Sequence, residues 1–253
     1  MIDKQILRTR FEANYNTYDL FATVQESICL QLNSKLEKLQ LAPEKILEVG
    51  AGTGLLTKRL KQLYPTAKMV INDLSPMTEE FISKYATGTE IFNIGDAEQI
   101  DLGSGYDLVA SSSAVQWFVD LKAFFQKTKA AMRSGGVLAL STFGNNNFTE
   151  IKQLTGSGLD YVPFTELKEL IKSLGFEIID SVEYCHTMYF DSPLEVLKHI
   201  KATGVNSLHR QVWTPGRLRR FVDDYKQIFS DENDSVKLTY HPIILICKNA
   251  AEQ

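Results

Sequence analysis

Residues 46–60 read ILEVGAGTGLLTKRL, an apolar run that meets a glycine-rich turn and continues into an amphipathic stretch. The apolar run predicts a buried strand ending at Gly50, and the residues from Leu55 to Leu63 predict a helix. Glycines suit the turn because a ligand approaches the backbone closely there and the dihedral angles are unusual. The segment therefore predicts a strand, a ligand-binding turn and a helix.

The glycine spacing differs from that of a dinucleotide-binding fingerprint. That fingerprint, G-x-G-x-x-G/A, would require glycine or alanine at position 55, where this chain has Leu55. The carboxylate of Glu48, at the end of the strand, would also repel a pyrophosphate. It can instead bind the ammonium group of a methionine moiety. The structural alternative is that Glu48 only caps the helix.

Two further acids follow predicted strands. Asp73 ends the second strand about twenty residues after the glycines, where a carboxylate can bind a ribose diol. Asp96 follows the third strand and is placed to accept a hydrogen bond from an adenine amino group. Asp73 could alternatively cap the helix after Ser75, and Asp96 taken alone does not decide between a ligand and a structural role.

Strands and helices alternate along the chain. Strands are predicted at 45–50, 68–72, 90–94, 106–111 and 136–142, with helices at 55–63, 75–84 and 121–132. This alternation predicts a parallel sheet with helices on both faces. The tail departs from it, with two long strands at 176–183 and 237–247 and helices at 194–202 and 215–229 between them.

We interpret residues 1–253 as a single domain with two additions. Apolar spacing over 17–39 predicts an amphipathic helix within an N-terminal helical cap, residues 1–40. Residues 188–232 form a helical insertion that acts as a lid or as a partner surface over one end of the sheet.

Composition narrows the class of protein. The 253 residues are 44% hydrophobic and 23% charged, as in ordinary globular proteins, and the net charge of −4 argues against a dedicated nucleic-acid binder. Without a signal-peptide-like start or a run of about 18 apolar residues, we expect a cytoplasmic protein with no membrane partner. Three scattered cysteines suit a reducing compartment, and no metal site is expected.

The glycine turn with Asp73 and Asp96 resembles the class I S-adenosylmethionine-dependent methyltransferases, over residues 42–145 and the final strands. The resemblance implies a Rossmann-like α/β fold whose seven-stranded, mostly parallel sheet has the order 3-2-1-4-5-7-6, with strand seven antiparallel. It implies S-adenosyl-L-methionine as the cofactor. The cofactor-binding residues expected on this basis are Glu48, Gly50, Ala51, Gly52, Gly54, Asp73, Leu74, Asp96, Ala97 and Ser112.

The sequence lacks the motifs of several methyltransferase classes that act on other acceptors. Methyltransferases of exocyclic base amines carry Asn/Asp-Pro-Pro-Tyr/Phe after the fourth strand, where this chain reads Ser111-Ser112-Ser113-Ala114. No cysteine follows a proline, as carbon-5 pyrimidine methylation requires, and no histidine cluster indicates a metal-assisted mechanism. A small or carrier-borne acceptor is favoured.

Three more segments resemble the malonyl-acyl-carrier-protein O-methyltransferases of biotin synthesis. They are 10–25, Ala114-Val115-Gln116-Trp117, and residues 199–206 together with 238–242. The resemblance implies methylation of the free carboxylate of malonyl-acyl-carrier protein. The resulting methyl ester masks a charge and primes pimeloyl formation.

A malonyl carboxylate has a pKa of about 4, so at neutral pH it is already the nucleophile. We therefore expect no catalytic general base. Tyr18, Gln116 and Trp117 are expected to position the acceptor, and Tyr15 and Arg210 complete the predicted acceptor-binding residues. For the aromatic residues, plain core packing is the alternative.

One stretch of the insertion is basic. Residues 198–222 contain six lysines and arginines and no acidic residue, which would attract an acidic carrier protein. Arg217, Arg219 and Arg220 are the predicted partner-binding residues, although a solvated helix face would look the same. A small-molecule O-methyltransferase acting on another carboxylate, a phenol or a quinone remains the alternative function, and a non-catalytic binding protein is a third hypothesis.

Overall fold

A computed structural model describes residues 2–204 and 213–250. The predicted acceptor residue Arg210 lies outside the described residues. The strands are β1 (Lys45–Val49), β2 (Lys68–Asp73), β3 (Ile91–Ile94), β4 (Tyr106–Ser112), β5 (Met132–Phe143), β6 (Phe176–Glu183), β7 (His186–Phe190), β8 (Val236–Tyr240) and β9 (Pro242–Asn249). The helices are α1 (Lys4–Glu12), α2 (Tyr15–Phe21), α3 (Thr23–Lys38), α4 (Leu55–Leu63), α5 (Met77–Ser83), α6 (Leu121–Ala131), α7 (Thr149–Thr155), α8 (Phe164–Ser173), α9 (Pro193–Ala202) and α10 (Pro215–Phe229).

Seven strands form one sheet in the order β3-β2-β1-β4-β5-β9-β6. The neighbours from β3 through β5 are parallel, whereas β9 is antiparallel to both β5 and β6. This confirms the predicted order 3-2-1-4-5-7-6, with β9 as the seventh strand.

Side-chain alternation along β1 divides the core into two layers. Ile46 packs with the buried residues of α3 and α4, whereas Leu47 and Val49 pack with those of α6 and α8 on the opposite face. The sheet is therefore covered on both sides, as expected for a mostly parallel sheet. Its carboxyl edge is left to the loops that follow β1, β2 and β4.

The N-terminal region is divided into more helices than predicted. The single helix expected over 17–39 is wrong, because the helix is interrupted at Ala22, whose φ of −81° and ψ of 35° are not helical. Leu20, one of the apolar residues in that spacing, is 75% exposed. The additional helix α1 begins after Asp3, whose side chain accepts from the N–H groups of Gln5 and Ile6.

The long strand expected over 237–247 is also wrong, because the chain changes sheets at His241. The His241 N–H donates to Asn147 Oδ1, and the Asn146 N–H donates to His241 Nδ1. These bonds fix the chain between the two sheets, so β8 pairs with β7 and β9 enters the main sheet.

In the described part of the chain, none of the helices has the length and apolar character needed to cross a membrane.

Candidate functional site

A cavity of about 1050 Å³ lies at the carboxyl edge of the sheet, where β1, β2 and β4 end. It brings together most of the residues expected to bind a cofactor or an acceptor. These are Glu48, Gly50, Ala51, Gly52, Asp73, Leu74, Ala97 and Ser112, with Tyr15, Tyr18 and Trp117 on its wall. Gly54 and Asp96 do not line the cavity.

The three glycines of the turn have positive φ values, but each has a different reason to be glycine. A Cβ atom on Gly50 would overlap the side chain of Ala114, and one on Gly54 would overlap the Tyr85 hydroxyl. A Cβ atom on Gly52 would meet no protein atom within 4 Å, and Gly52 lines the cavity. Gly50 and Gly54 therefore serve the packing of the protein, whereas Gly52 leaves room for a ligand.

Glu48 is a buried acid without a full set of partners. Its side chain is 1% exposed, and Oε2 has no hydrogen-bond partner among the described residues. Burial raises the pKa of Glu48 to about 8, and the charge of Asp73 adds to the rise. The unpartnered oxygen belongs to a residue that lines the cavity, and a cationic ligand there, such as an ammonium group, would favour the ionised form of Glu48.

Asp73 is held by backbone groups of two loops. Its Oδ2 accepts from the Gly52 N–H at 2.8 Å, and its Oδ1 accepts from the Ser75 N–H at 2.8 Å. Burial raises the pKa of this carboxyl, and the backbone hydrogen bonds partly offset the rise. Each oxygen keeps a second lone pair for a ligand hydroxyl. The residue therefore both closes the glycine turn and presents acceptors to the cavity.

Asp96 is paired with the N-terminal helix. Lys4 Nζ lies 3.3 Å from Asp96 Oδ1 and 2.7 Å from Glu98 Oε2, and the Lys4 side chain lines the cavity. Leu7 and Phe11 of α1 line the same cavity. The sequence prediction placed α1 within the helical cap of residues 1–40 but did not give its bounds, although Asp3 before the apolar pair Ile6-Leu7 is an N-cap signal.

A second, much smaller cavity adjoins the first. Five side chains line both cavities, namely those of Phe11, Tyr18, Gln25, Ser113 and Trp117. The second cavity is completed by Gln116, Phe143, Asn147, Phe148, Tyr161, Thr203 and Tyr240. It is therefore an aromatic space with neutral polar groups beside the larger cavity.

The predicted positioning residue Gln116 is already bound to the protein. Its Nε2 donates to the Ser113 carbonyl at 2.6 Å, and its Oε1 accepts from Thr142 Oγ1 at 3.3 Å. The Tyr15 hydroxyl pairs with that of Thr78 at 2.6 Å. Burial raises the pKa of Tyr18, so this side chain is neutral at physiological pH.

The predicted partner residues lie on α10. Arg217, Arg219 and Arg220 are exposed and form no ion pair with another described residue. The side chains of Lys198 and Lys201 on α9 are also exposed. The positive charge of this part of the chain is therefore open to solvent rather than used in internal pairs.

The sheet order and the cavity after β1 define a Rossmann-like class I methyltransferase, and residues 47–140 match the family described as Methyltransferase domain. The chain is 36% identical to a malonyl-[acyl-carrier protein] O-methyltransferase from Bacteroides helcogenes, over 98% of this chain and 99% of the relative. It is 32% identical to that of Haemophilus influenzae, over 98% and 95%. The chain belongs to the malonyl-[acyl-carrier protein] O-methyltransferase family.

Solved structures support the same fold at low identity. The YcgJ protein of Bacillus subtilis superposes with a TM-score of 0.62 at 13% identity, over 88% of this chain and 99% of that chain. A 1,6-didemethyltoxoflavin-N1-methyltransferase from Burkholderia thailandensis, solved with S-adenosylhomocysteine bound, gives a TM-score of 0.59 at 15% identity, over 98% and 88%.

Proposed function

We propose that this protein uses S-adenosyl-L-methionine to methylate the free carboxylate of malonyl-acyl-carrier protein. The observation that carries the proposal is similarity over nearly the whole chain to malonyl-[acyl-carrier protein] O-methyltransferases, N-terminal helices and insertion included. The methyl ester product would serve as the primer for pimeloyl formation in biotin synthesis. We place the reaction in the cytoplasm, where the three free cysteines would stay reduced.

The larger cavity has the donor and acceptor groups that the cofactor needs. Glu48, whose Oε2 has no partner among the described residues, would bind its ammonium group, and Asp73 would accept from its ribose hydroxyls. Gly52 leaves the space against which the cofactor backs, and Leu74, Ala97 and Ser112 border it. When bound there, S-adenosyl-L-methionine supplies an electrophilic methyl group on a sulfonium.

The second cavity is the proposed acceptor site. Tyr18 and Trp117 line both cavities, so they would hold the acceptor against the cofactor and keep water away. Gln116, fixed by Ser113 and Thr142, would present its amide to the acceptor with little freedom to move. A carboxylate is ionised at neutral pH, so these residues need to orient it and not to deprotonate it.

The acidic carrier protein would dock on the basic insertion. The guanidinium groups of Arg217, Arg219 and Arg220 are exposed and have no acidic partner among the described residues, which leaves them available for an acidic surface. The net charge of the whole chain is −4, so the positive charge is local. Such a patch raises the rate of encounter with an acidic partner.

The proposal is tested by incubating the purified protein with S-adenosyl-L-methionine and malonyl-acyl-carrier protein, followed by mass spectrometry of the carrier. We expect a gain of one methyl group that mild base removes as an ester. Acetyl-acyl-carrier protein, which lacks the free carboxylate, is the matched control and should gain nothing. An unchanged malonyl carrier, with methylation of a free carboxylic acid, phenol or quinone instead, would favour the small-molecule alternative.

A further inference from the structure

Helix α9 and strand β8 meet beside the second cavity through His199 and Tyr240. His199 lies on α9 and Tyr240 ends β8, and the structure places His199 Nε2 2.7 Å from the Tyr240 hydroxyl. His199 is 4% exposed and Tyr240 is fully buried. Tyr240 lines the second cavity, whereas His199 lies behind it. The pair therefore connects the helical insertion to the proposed acceptor site.

His199 is held in an aromatic environment. The ring centroids of Phe190 and Phe21 lie 5.1 and 6.5 Å from its own. Burial lowers the pKa of His199 to about 4, so the ring is neutral at physiological pH. A neutral imidazole carries one N–H group. When Nε2 carries it, the N–H donates to the Tyr240 oxygen, and the tyrosine O–H is left to donate to another acceptor at the cavity, where the side chains of Thr203 and Gln25 also contact the hydroxyl.

Most other polar groups of the second cavity are already paired. Asn147 donates to the Tyr161 hydroxyl and accepts from the His241 N–H, and Gln116 is bound at both ends of its amide. Gln25, which is 5% exposed, has an Oε1 without a partner among the described residues. The described lining of this cavity contains no charged side chain. Among the described residues, only neutral donors could recognise an acceptor carboxylate placed there.

We propose that the Tyr240 hydroxyl binds the carboxylate of the acceptor and that His199 is the positioning residue that directs this hydroxyl into the cavity. The proposal rests on the proposed function, because it assumes a carboxylate acceptor in the second cavity. The hydrogen bond selects one carboxylate oxygen and leaves the other to face the methyl donor. Binding through a neutral hydroxyl also keeps the charge of the nucleophile from being neutralised by a cation, as an arginine would do.

The test compares Tyr240→Phe with the wild type in binding two forms of the carrier protein, malonyl and acetyl, with S-adenosylhomocysteine present so that no transfer occurs. Tyr240→Phe keeps the buried ring and removes the hydroxyl. We expect the Kd for malonyl-carrier protein to rise about 10- to 100-fold, the usual effect of losing a hydrogen bond to a charged group. The Kd for acetyl-carrier protein, which has no carboxylate, should not change.

Variants of His199 test the positioning role. His199→Leu should reproduce the loss seen in Tyr240→Phe, and the double variant should be no worse than either, because both act through one hydroxyl. His199→Gln, which restores an N–H donor, should recover most of the malonyl affinity. Tyr106→Phe is the matched control, since the Tyr106 hydroxyl is buried on the Leu102 carbonyl and lines neither cavity.

Four results would overturn the inference. An unchanged malonyl Kd in Tyr240→Phe would remove the hydroxyl from acceptor binding. Equal losses for malonyl and acetyl carriers, or a loss of S-adenosylhomocysteine binding, would show that Tyr240 only supports the fold. A wild type that methylates malonyl-carrier protein while Tyr240→Phe is unaffected disproves this inference alone, whereas a wild type that fails to methylate it disproves the proposed function.

Discussion

Ionisation of the buried Glu48 destabilises the folded protein, and this gives a prediction about stability and pH. Its pKa in the folded protein, about 8, lies above its ordinary value of 4.5, so the folded state favours the protonated form. Ionisation therefore lowers the free energy of unfolding as the pH rises from 4.5 to 8. Glutamine does not ionise, so we expect Glu48→Gln to gain about 1.4 kcal/mol over the wild type per pH unit in this window.

The measurement is urea unfolding of both proteins without cofactor, at pH 5 and pH 8. Calorimetric titration at pH 8 should show weaker S-adenosyl-L-methionine binding by Glu48→Gln, because the partner of the ammonium group is lost. A stability gap that does not change with pH would mean that Glu48 already has a compensating partner in the empty protein.

Within one turn, Gly50 is needed for packing of the protein and Gly52 for ligand binding, so variants at the two positions should have different effects. Gly50→Ala should lower thermal stability strongly, because the new methyl group overlaps Ala114 and φ is +72°. Gly52→Val should retain the fold at a cost of about 1–2 kcal/mol for the left-handed backbone, while its side chain fills the ligand space. Thermal melts and calorimetric titration distinguish the two effects. Normal cofactor affinity in Gly52→Val would contradict the placement of the cofactor.

The tyrosines that line the acceptor cavity, and His199 behind them, do not titrate near neutrality. Burial lowers the pKa of His199 to about 4 and raises the pKa values of Tyr18, Tyr161 and Tyr240. The acceptor carboxylate, with a pKa of about 4, is also ionised throughout this range. We therefore expect the single-turnover rate at saturating cofactor to be flat from about pH 6 to 8. A rise with a midpoint near 7 would instead indicate a general base and a hydroxyl acceptor.

At the level of elements, α1 closes the cofactor cavity through a few side chains. Lys4 pairs with Asp96 and Glu98, and its ammonium group lies 4.6 Å from the centre of the Phe118 ring. Lys4→Ala should speed the release of S-adenosylhomocysteine by about 3- to 10-fold, since partly exposed ion pairs contribute roughly 1 kcal/mol. Displacement kinetics measure this rate. Lys84→Ala, on an exposed lysine outside the cavity, is the control, and equal rates in both variants would show that α1 does not retain the ligand.

The elements that were predictable from sequence are those with local signals. The turn after β1 and α10 carry such signals in their glycines and in the capping Thr214-Pro215, and their predicted bounds agree with the structure. The break at His241 has a local signal in Pro242, which cannot donate to a strand ladder and begins β9, but the prediction of one strand did not use it. The contacts of His241 with Asn146 and Asn147, far away in sequence, leave no periodic signal.

The candidate site likewise contains some residues that local sequence signals place correctly and others that depend on long-range contacts. Gly52 and Asp73 follow strands, and parallel strands bring their carboxyl ends to one edge, so sequence alone places both residues at the cavity. The pairing of Asp96 with Lys4 could not be read in this way, because α1 reaches the sheet from 92 positions away in the chain. The meeting of His199 with Tyr240 likewise depends on how the insertion folds back.

At the scale of the whole molecule, residues 198–222 are a basic stretch in a chain whose net charge is −4, and this predicts how the substrate arrives. If an acidic carrier protein docks on α10, replacing Arg217, Arg219 and Arg220 by glutamate should raise the KM for malonyl-carrier protein and leave cofactor affinity unchanged, because none of the three lines the cofactor cavity. The wild-type KM should also rise with salt, since exposed charges are screened over about 8 Å at physiological ionic strength.

The control for this prediction is a triple variant with the same net charge, in which Lys38, Lys68 and Lys172 become glutamate. These exposed lysines lie at the end of α3, the start of β2 and near the end of α8, outside the cavity lining. We expect its KM for malonyl-carrier protein to stay close to that of the wild type, because steering depends on where the charge lies. For malonyl on a short pantetheine arm, the wild type and the two triple variants should have similar KM values. Equal losses on the carrier-borne and short substrates would show that the arginines shape the pocket, and no loss on either would remove α10 from carrier recognition.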